Sequence, residues 1–363
     1  MTRTRRRIAV VLGGRSSEHA ISVASAESVI DALSRTNDVV TVEIARDGTW
    51  SLEAPPPVAR ALEAGGTSDT VSQATSGPAT TAEHATASAP ARGGLPDRRV
   101  AAALGDVDVV FPVLHGPFGE DGTLQGLLEL AGVPYVGAGV LGSALCMDKD
   151  VFKSVLRDAG IPVTRNITLR AGDEPRNPFG YPVFVKPARL GSSVGISKAH
   201  DEEELRAGVE LAFEHDEKVL VEEFVPGREV EVGVLGNRRP IASLPGEIVV
   251  THNEWYDYEA KYDEGEMDLV VPARLPEEQI ERAQELAVRA FVATECEGMA
   301  RADLFVRDDG EVLVNELNTI PGFTATSVYA KLFDASGIPY ADLLDRLVDL
   351  ALERHERRAR LRY

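Results

Sequence analysis

Hydrophobic residues along this chain come in short runs, and the spacing within and between the runs predicts most of its elements. Ile8 to Leu12 are apolar without interruption and two glycines follow, so residues 7–14 read as a buried strand ending in a turn. Ile21, Val29, Ile30 and Leu33 then recur at helical spacing, which predicts a helix over 18–34. Residues 38–45 and 107–115 are further apolar strands. Strand, helix and strand in this order predict a parallel α/β unit. Beyond it, helices are expected over 122–132, 143–160, 201–214, 276–297 and 340–360. Strands are expected over 133–139, 181–187, 218–224 and 229–235, and residues 269–272 are short and apolar. The last helix is amphipathic, and its basic end is expected to lie in solvent.

Residues 53–97 break this pattern. They are rich in Ala, Thr, Ser, Gly and Pro and nearly free of large apolar side chains. Such a segment buries too little surface to order itself, so a mobile insertion is expected there. The whole chain, at 363 residues and 44% hydrophobic, has material for two or three domains. Its formal charge of −20 argues against nonspecific binding to nucleic acid or to an anionic membrane. No apolar run approaches the length of a membrane span. Cys146 and Cys296 form no CxxC, and a reduced, cytoplasmic setting is expected.

The most chemical stretch is Arg301-Ala-Asp303, followed by Asn315-Glu316-Leu317-Asn318. Two strands joined by Asp308-Asp309-Gly310 make a hairpin. Arg301 and Asp303 share one face of it, as do Glu316 and Asn318, and one register sets Asp303 opposite Glu316. Two buried carboxylates and an amide would repel unless a cation sat between them. Hard oxygen donors of this kind suit Mg²⁺, which bridges readily to nucleotide phosphates.

Other motifs are weaker singly. In Lys186-Pro-Ala-Arg-Leu-Gly191-Ser192-Ser193-Val-Gly195, two glycines bracket two serines after a strand. That loop fits either a phosphate cover or an ordinary turn. Residues 218–223 end in Glu222 and Glu223, which fits a nucleotide-side strand and a strand with solvated ends equally well. Glu18 follows a glycine turn at a helix start, where capping alone explains it. His115 closes a strand beside three glycines, at the edge where open α/β sheets bind ligands. Residues 256–262, with Lys261 and Tyr262, read as a loop or lid. Gly322 follows the metal strand and could offer its N–H, beside Arg301, to an oxyanion.

Taken in order, these motifs resemble the D-alanine–D-alanine ligases of the ATP-grasp superfamily. GGRSSEHAIS, LHGPFGEDGTLQG, MDK, VKPARLGSSVGISK, EEFVPGREVEV, YDYEAKY, RADLF and NELNTIPGFTATS carry the resemblance, over nearly the whole chain except 53–97. It implies an N-terminal α/β substrate-binding unit over 1–140, then a two-part ATP-grasp fold over 141–225 and 226–363, with a lid at 251–268. It also implies that Glu18 holds the first D-alanine's ammonium, networked with Ser192 and Tyr262, and that His115 lies near its carboxylate. Lys149, Lys186 and Lys261 would contact ATP phosphates, with Ser192 and Ser193 in the covering loop. Glu222, Glu223 and Glu229 would lie on the adenine and ribose side. Asp303, Glu316 and Asn318 would hold two Mg²⁺ or Mn²⁺ ions. Arg301 and the Gly322 N–H would form an oxyanion hole, and Ser327 would meet the second carboxylate. A homodimer is also implied. A D-lactate-using ester ligase and an inactive ATP-binding protein are the rival readings; the YEAKY sequence favours the dipeptide over the ester.

Overall fold

The computed structural model describes residues 5–53, 94–191, 194–250 and 267–362. The chain opens with β1 (Arg7–Gly13), α1 (His19–Ser34), β2 (Asp38–Ile44) and β3 (Trp50–Glu53). After residues 54–93 come α2 (Arg98–Gly105), β4 (Val109–Pro112) and α3 (Thr123–Ala131). These strands form a sheet in the order β3-β2-β1-β4, parallel except for the β2–β3 pair. The predicted mobile insertion lies almost wholly outside the described residues. Its last residue does not belong to it, because Asp97 caps α2, accepting from the Arg99 and Val100 N–H groups.

Two antiparallel sheets follow. One is ordered β5-β8-β6-β7, from Asn166–Arg170, Lys218–Glu223, Val183–Pro187 and Ser197–Ala199. The helix α6 (Glu202–Phe213) packs on it through Leu205, Val209 and Ala212. The other runs β12-β11-β9-β13-β14, from Met267–Val270, Gly246–Val250, Arg228–Gly236, Gly298–Val306 and Val312–Asn318. The short β10 (Ile241–Ala242) pairs with β9. Here α7 (Glu277–Ala293) presents Leu286, Ala287, Ala290 and Phe291 to Val232, Ala302 and Val314. The last helices are α8 (Val328–Ala335) and α9 (Tyr340–Ala359). No helix among the described residues is long and apolar enough to cross a membrane.

Several expectations need correction. The helix expected over 143–160 is two helices, α4 (Val140–Met147) and α5 (Lys149–Asp158). Asp148 breaks them apart: its backbone is extended at ψ 95°, and its side chain accepts from the Val151 N–H to start α5. Residues 133–139 pack against the first sheet but pair with it, among the described residues, only through a bridge between Val110 and Tyr135. Helices α2 and α8 were not foreseen.

The basic end of α9 is solvated as expected at Arg358 and Arg360, but not at Arg354. Arg354 is 3% exposed, stacks over the Tyr135 ring, and donates to the carbonyls of Tyr135 and Gly137. Arg357 pairs with Glu297 and Arg358 with Glu129. The carbonyls of an irregular segment that is not in the sheet need donors, and Arg354 supplies them at Tyr135 and Gly137. One apolar core accordingly joins Ile8, Val10 and Phe111 of the first sheet to Phe323, Tyr329 and Leu344 near the end of the chain.

Candidate active site

The hairpin β13–β14 has the expected register. Asp303 faces Glu316, and Arg301 faces Asn318. Asn315 is the extra residue of a bulge just beyond that pair, where the pairing shifts between Asp303 and Leu304. On the other side β9 sets Glu231 opposite Asp303, so three carboxylates stand in a row across adjacent strands. Arg301 grips Asp303 through two bonds of 2.7 Å and lies 3.2 Å from Glu231. Lys149, at the start of α5, reaches Glu316 at 3.4 Å and donates to Leu190 O at 2.7 Å. Among the described residues, three acids thus face two cations. The acid excess among the described residues and the oxygen donors fit a hard divalent ion, and Asp303, Glu316 and Asn318 could hold one once the bonds from Arg301 and Asn318 to Asp303 open. A metal on Asp303 requires Arg301 to loosen its grip, and Glu231 offers the guanidinium a second carboxylate.

A second buried cluster has the opposite balance. Glu222, at the end of β8, receives Lys186 from β6 at 2.6 Å and Lys153 from α5. Lys153 is fully buried and also donates to Thr164 Oγ1. Burial alone would raise the Glu222 pKa, but the two ammoniums outweigh it and hold the carboxyl below its ordinary value. Burial pulls Lys153 down to about 8, against the pull of Glu222. Both Glu222 oxygens are therefore taken. Glu223 is held by Arg165 instead, and Glu229 lies half-buried on β9 opposite Phe305.

Between the first sheet and the hairpin lies a cavity of about 660 Å³, lined by Glu18, His115, Arg301, Glu316, Gly322 and Ser327 among others. The loops around it are built close. Gly116 has φ +71°, and a Cβ there would fall 2.6 Å from Glu18 Oε2; only glycine suits that position. A Cβ on Gly191 would come within 3.1 Å of the same oxygen, so the loop after β6 also closes on Glu18.

His115 is buried, with Nδ1 2.8 Å from Ile320 O. A carbonyl only accepts, so Nδ1 carries the proton. Burial lowers the His115 pKa, against Glu18 and the Ile320 bond, and the ring stays neutral. Nε2 is then a buried acceptor without a hydrogen-bond partner among the described residues. It suits an ammonium as it stands and a carboxylate only once protonated. Glu120, also buried, accepts from Gly116 N at 2.9 Å and Ile320 N at 3.1 Å. Burial and then Glu18 push its pKa up to about 8, against both N–H donors.

The loop after β14 is tied at several points. Phe323 N donates to Ser25 of α1, and Tyr340 donates to Phe323 O. Ser327 Oγ accepts from Thr324 N at 3.0 Å.

The structure thus gathers Glu18, His115, Arg301, Glu316, Asn318, Gly322 and Ser327 in one cavity. It sets Lys186 and Glu222 in a separate ion cluster. Ser192, Ser193, Lys261 and Tyr262 lie outside the described residues. Lys153, Glu231, Glu120 and Arg354 were not singled out in the sequence, although two carried a signal. Lys153 is one helical turn after Lys149, and Glu231 shares a strand face with Glu229.

Residues 7–138 match the family described as D-ala D-ala ligase N-terminus, and residues 155–349 the one described as D-ala D-ala ligase C-terminus. A D-alanine–D-alanine ligase of Deinococcus radiodurans is 48% identical over 362 residues, covering 96% of this chain and 99% of the relative. The solved D-alanine–D-alanine ligase of Coxiella burnetii superposes with a TM-score of 0.77 at 35% identity, covering 98% of this chain and 96% of that one. The Bacillus anthracis ligase, solved in complex with ATP, gives 0.73 at 28% identity over 98% of this chain and 100% of its own.

Proposed function

The chain belongs to the D-alanine–D-alanine ligase family, and from that premise we propose that it joins two D-alanines, with ATP, into D-alanyl-D-alanine, ADP and phosphate. The observation that carries this reading is the convergence of Glu18, Arg301, Gly322 and Ser327 on one cavity beside Glu316. An acid, a guanidinium and a hydroxyl suit two zwitterions laid end to end.

The first alanine enters with its ammonium on Glu18. Its carboxylate attacks the γ-phosphorus of ATP, giving an acyl phosphate and ADP. Lys149 and Lys186 take up phosphate charge. For that, Lys149 shares itself between Glu316 and the nucleotide, and Lys186 stays aimed by Glu222. Asp303, Glu316 and Asn318 would hold magnesium or manganese, which when bound neutralises charge on the transferring phosphoryl group. The second alanine lies with its carboxylate on the Ser327 hydroxyl. Its free amine attacks the acyl carbon, and Arg301 with the Gly322 N–H receives the oxyanion. Phosphate then leaves, and the amine's extra proton is lost with it.

The dipeptide is a precursor for peptidoglycan, made in the cytoplasm. Phosphate release from ATP that rises with D-alanine, together with dipeptide in the product, is the expected result. ATP turnover indifferent to D-alanine would overturn the reading. Ester formation from D-lactate at rates matching the amide would move it to the depsipeptide class.

A further inference from the structure

Ile320 is a backbone residue gripped from both sides by side chains of a distant loop. Its carbonyl accepts from His115 Nδ1 at 2.8 Å. Its N–H donates to Glu120 Oε2 at 3.1 Å, while Glu120 Oε1 accepts from Gly116 N at 2.9 Å. All three of these residues are buried or enclosed, and Ile320 itself is 3% exposed. The Glu120 carboxylate therefore spans two main-chain segments 200 residues apart in sequence. One segment carries His115 and closes on Glu18. The other leads directly into Gly322 and Ser327.

Glu120 makes no contact that the reaction itself needs. Both of its oxygens are committed to backbone N–H groups. A leucine or methionine would fill the space more cheaply than a buried acid, whose desolvation is costly. In its ionised form, which both N–H donors favour against burial, an acid adds two acceptors at a fixed spacing. We propose that Glu120 is a positioning residue: bridging Gly116 and Ile320, it sets the Gly322 N–H and the Ser327 hydroxyl at the right distance from the first-substrate site. Rigid spacing between the two alanines is what the condensation step requires, because reacting atoms must be held near 3 Å. The proposal rests on the ligase reading, in which Gly322 and Ser327 serve the second alanine.

Two substitutions test it. Glu120→Gln keeps the shape but has one acceptor, so one of the two N–H groups loses its partner. Glu120→Asp keeps the charge but is one methylene short and cannot span both. Each is expected to raise KM for the second D-alanine about tenfold or more and to lower kcat. KM for ATP should stay within about twofold, because the lysines around Glu222 are untouched. A merely structural residue would instead lower the folded fraction, reducing kcat and leaving every KM as it was; that result would overturn the proposal. So would an Asp variant with parental constants, since charge alone would then suffice.

If neither variant folds, the parent still decides. Hydrogen exchange at the Ile320 amide should be strongly protected, and free exchange there would remove the bridge. Failure of the ligase reading is separate and visible first: the parent itself would show no D-alanine-dependent phosphate release.

Discussion

The chain buries charge in two places, and the two differ in what is left over. Around Glu222, two ammoniums meet one carboxylate. Around Asp303, three carboxylates meet a guanidinium and an ammonium. Both are enclosed by β-strands and both depend on α5, which sends Lys153 to the first cluster and Lys149 to the second. A buried cluster is stable only near neutrality, so the sign of the imbalance names the missing partner. The Glu222 cluster is short of an anion and suits phosphate. Among the described residues the Asp303 cluster carries more acid than cation, which is the balance our proposed divalent metal would offset. Standing side by side, they match the two halves of a metal–triphosphate.

The sharpest way to break this contrast is to remove an acid from the negative cluster. Glu316→Ala takes away the only cross-strand carboxylate of β14 in the row, and turnover should fall about 10³-fold in steady-state assays. Near-parental turnover at saturating Mg²⁺ would refute its role. Removing a cation from the positive cluster should act differently. Lys153→Met leaves Glu222 with one ammonium in a fully buried site, which should cost about 3 kcal/mol in denaturant unfolding. KM for ATP should rise as Lys186 loses its fixed geometry.

Arg354→Met serves as a control. Arg354 is equally buried, but its bonds go to the Tyr135 and Gly137 carbonyls. Unfolding should be easier by about 2 kcal/mol, with KM values unchanged. A shift in KM for ATP would show that burial alone, not charge imbalance, sets nucleotide affinity.

The smallest effect concerns His115. Its folded pKa is depressed below the ordinary 6.5, so the folded state binds this proton less tightly than the unfolded chain. The stability it contributes is full above pH 6.5 and is lost as pH falls below that value. Histidine NMR shifts should show the ring still neutral at pH 6.5. Titration at the ordinary value would mean that the pocket around Ile320 is open to water.

How much of this was legible before the fold was known depends on how local the cause is. The hairpin was legible because alternation and a turn fix its register, and Asp303 does face Glu316. The buried strand Lys218–Glu223 and the helix α7 announced themselves by composition and period. What failed had a distant cause. The break at Asp148 looks like a mid-helix acid until its side chain is seen capping the next helix. Arg354 looks like part of a solvated basic end until Tyr135 and Gly137 present their carbonyls from more than 200 residues away. Lys153 and Glu231 were not singled out because their partners lie on other elements, Glu222 on β8 and Arg301 on β13. The family resemblance named residues expected to meet substrate. It did not name those that hold them, such as Lys153 and Glu231.

The most direct test of the charge-imbalance account is Mn²⁺ binding followed by electron paramagnetic resonance, in the presence of a nonhydrolysable ATP analogue. The account predicts saturable Mn²⁺ sites in the parent, largely lost in Glu316→Ala while the analogue still binds. Equal Mn²⁺ occupancy in parent and variant would contradict it.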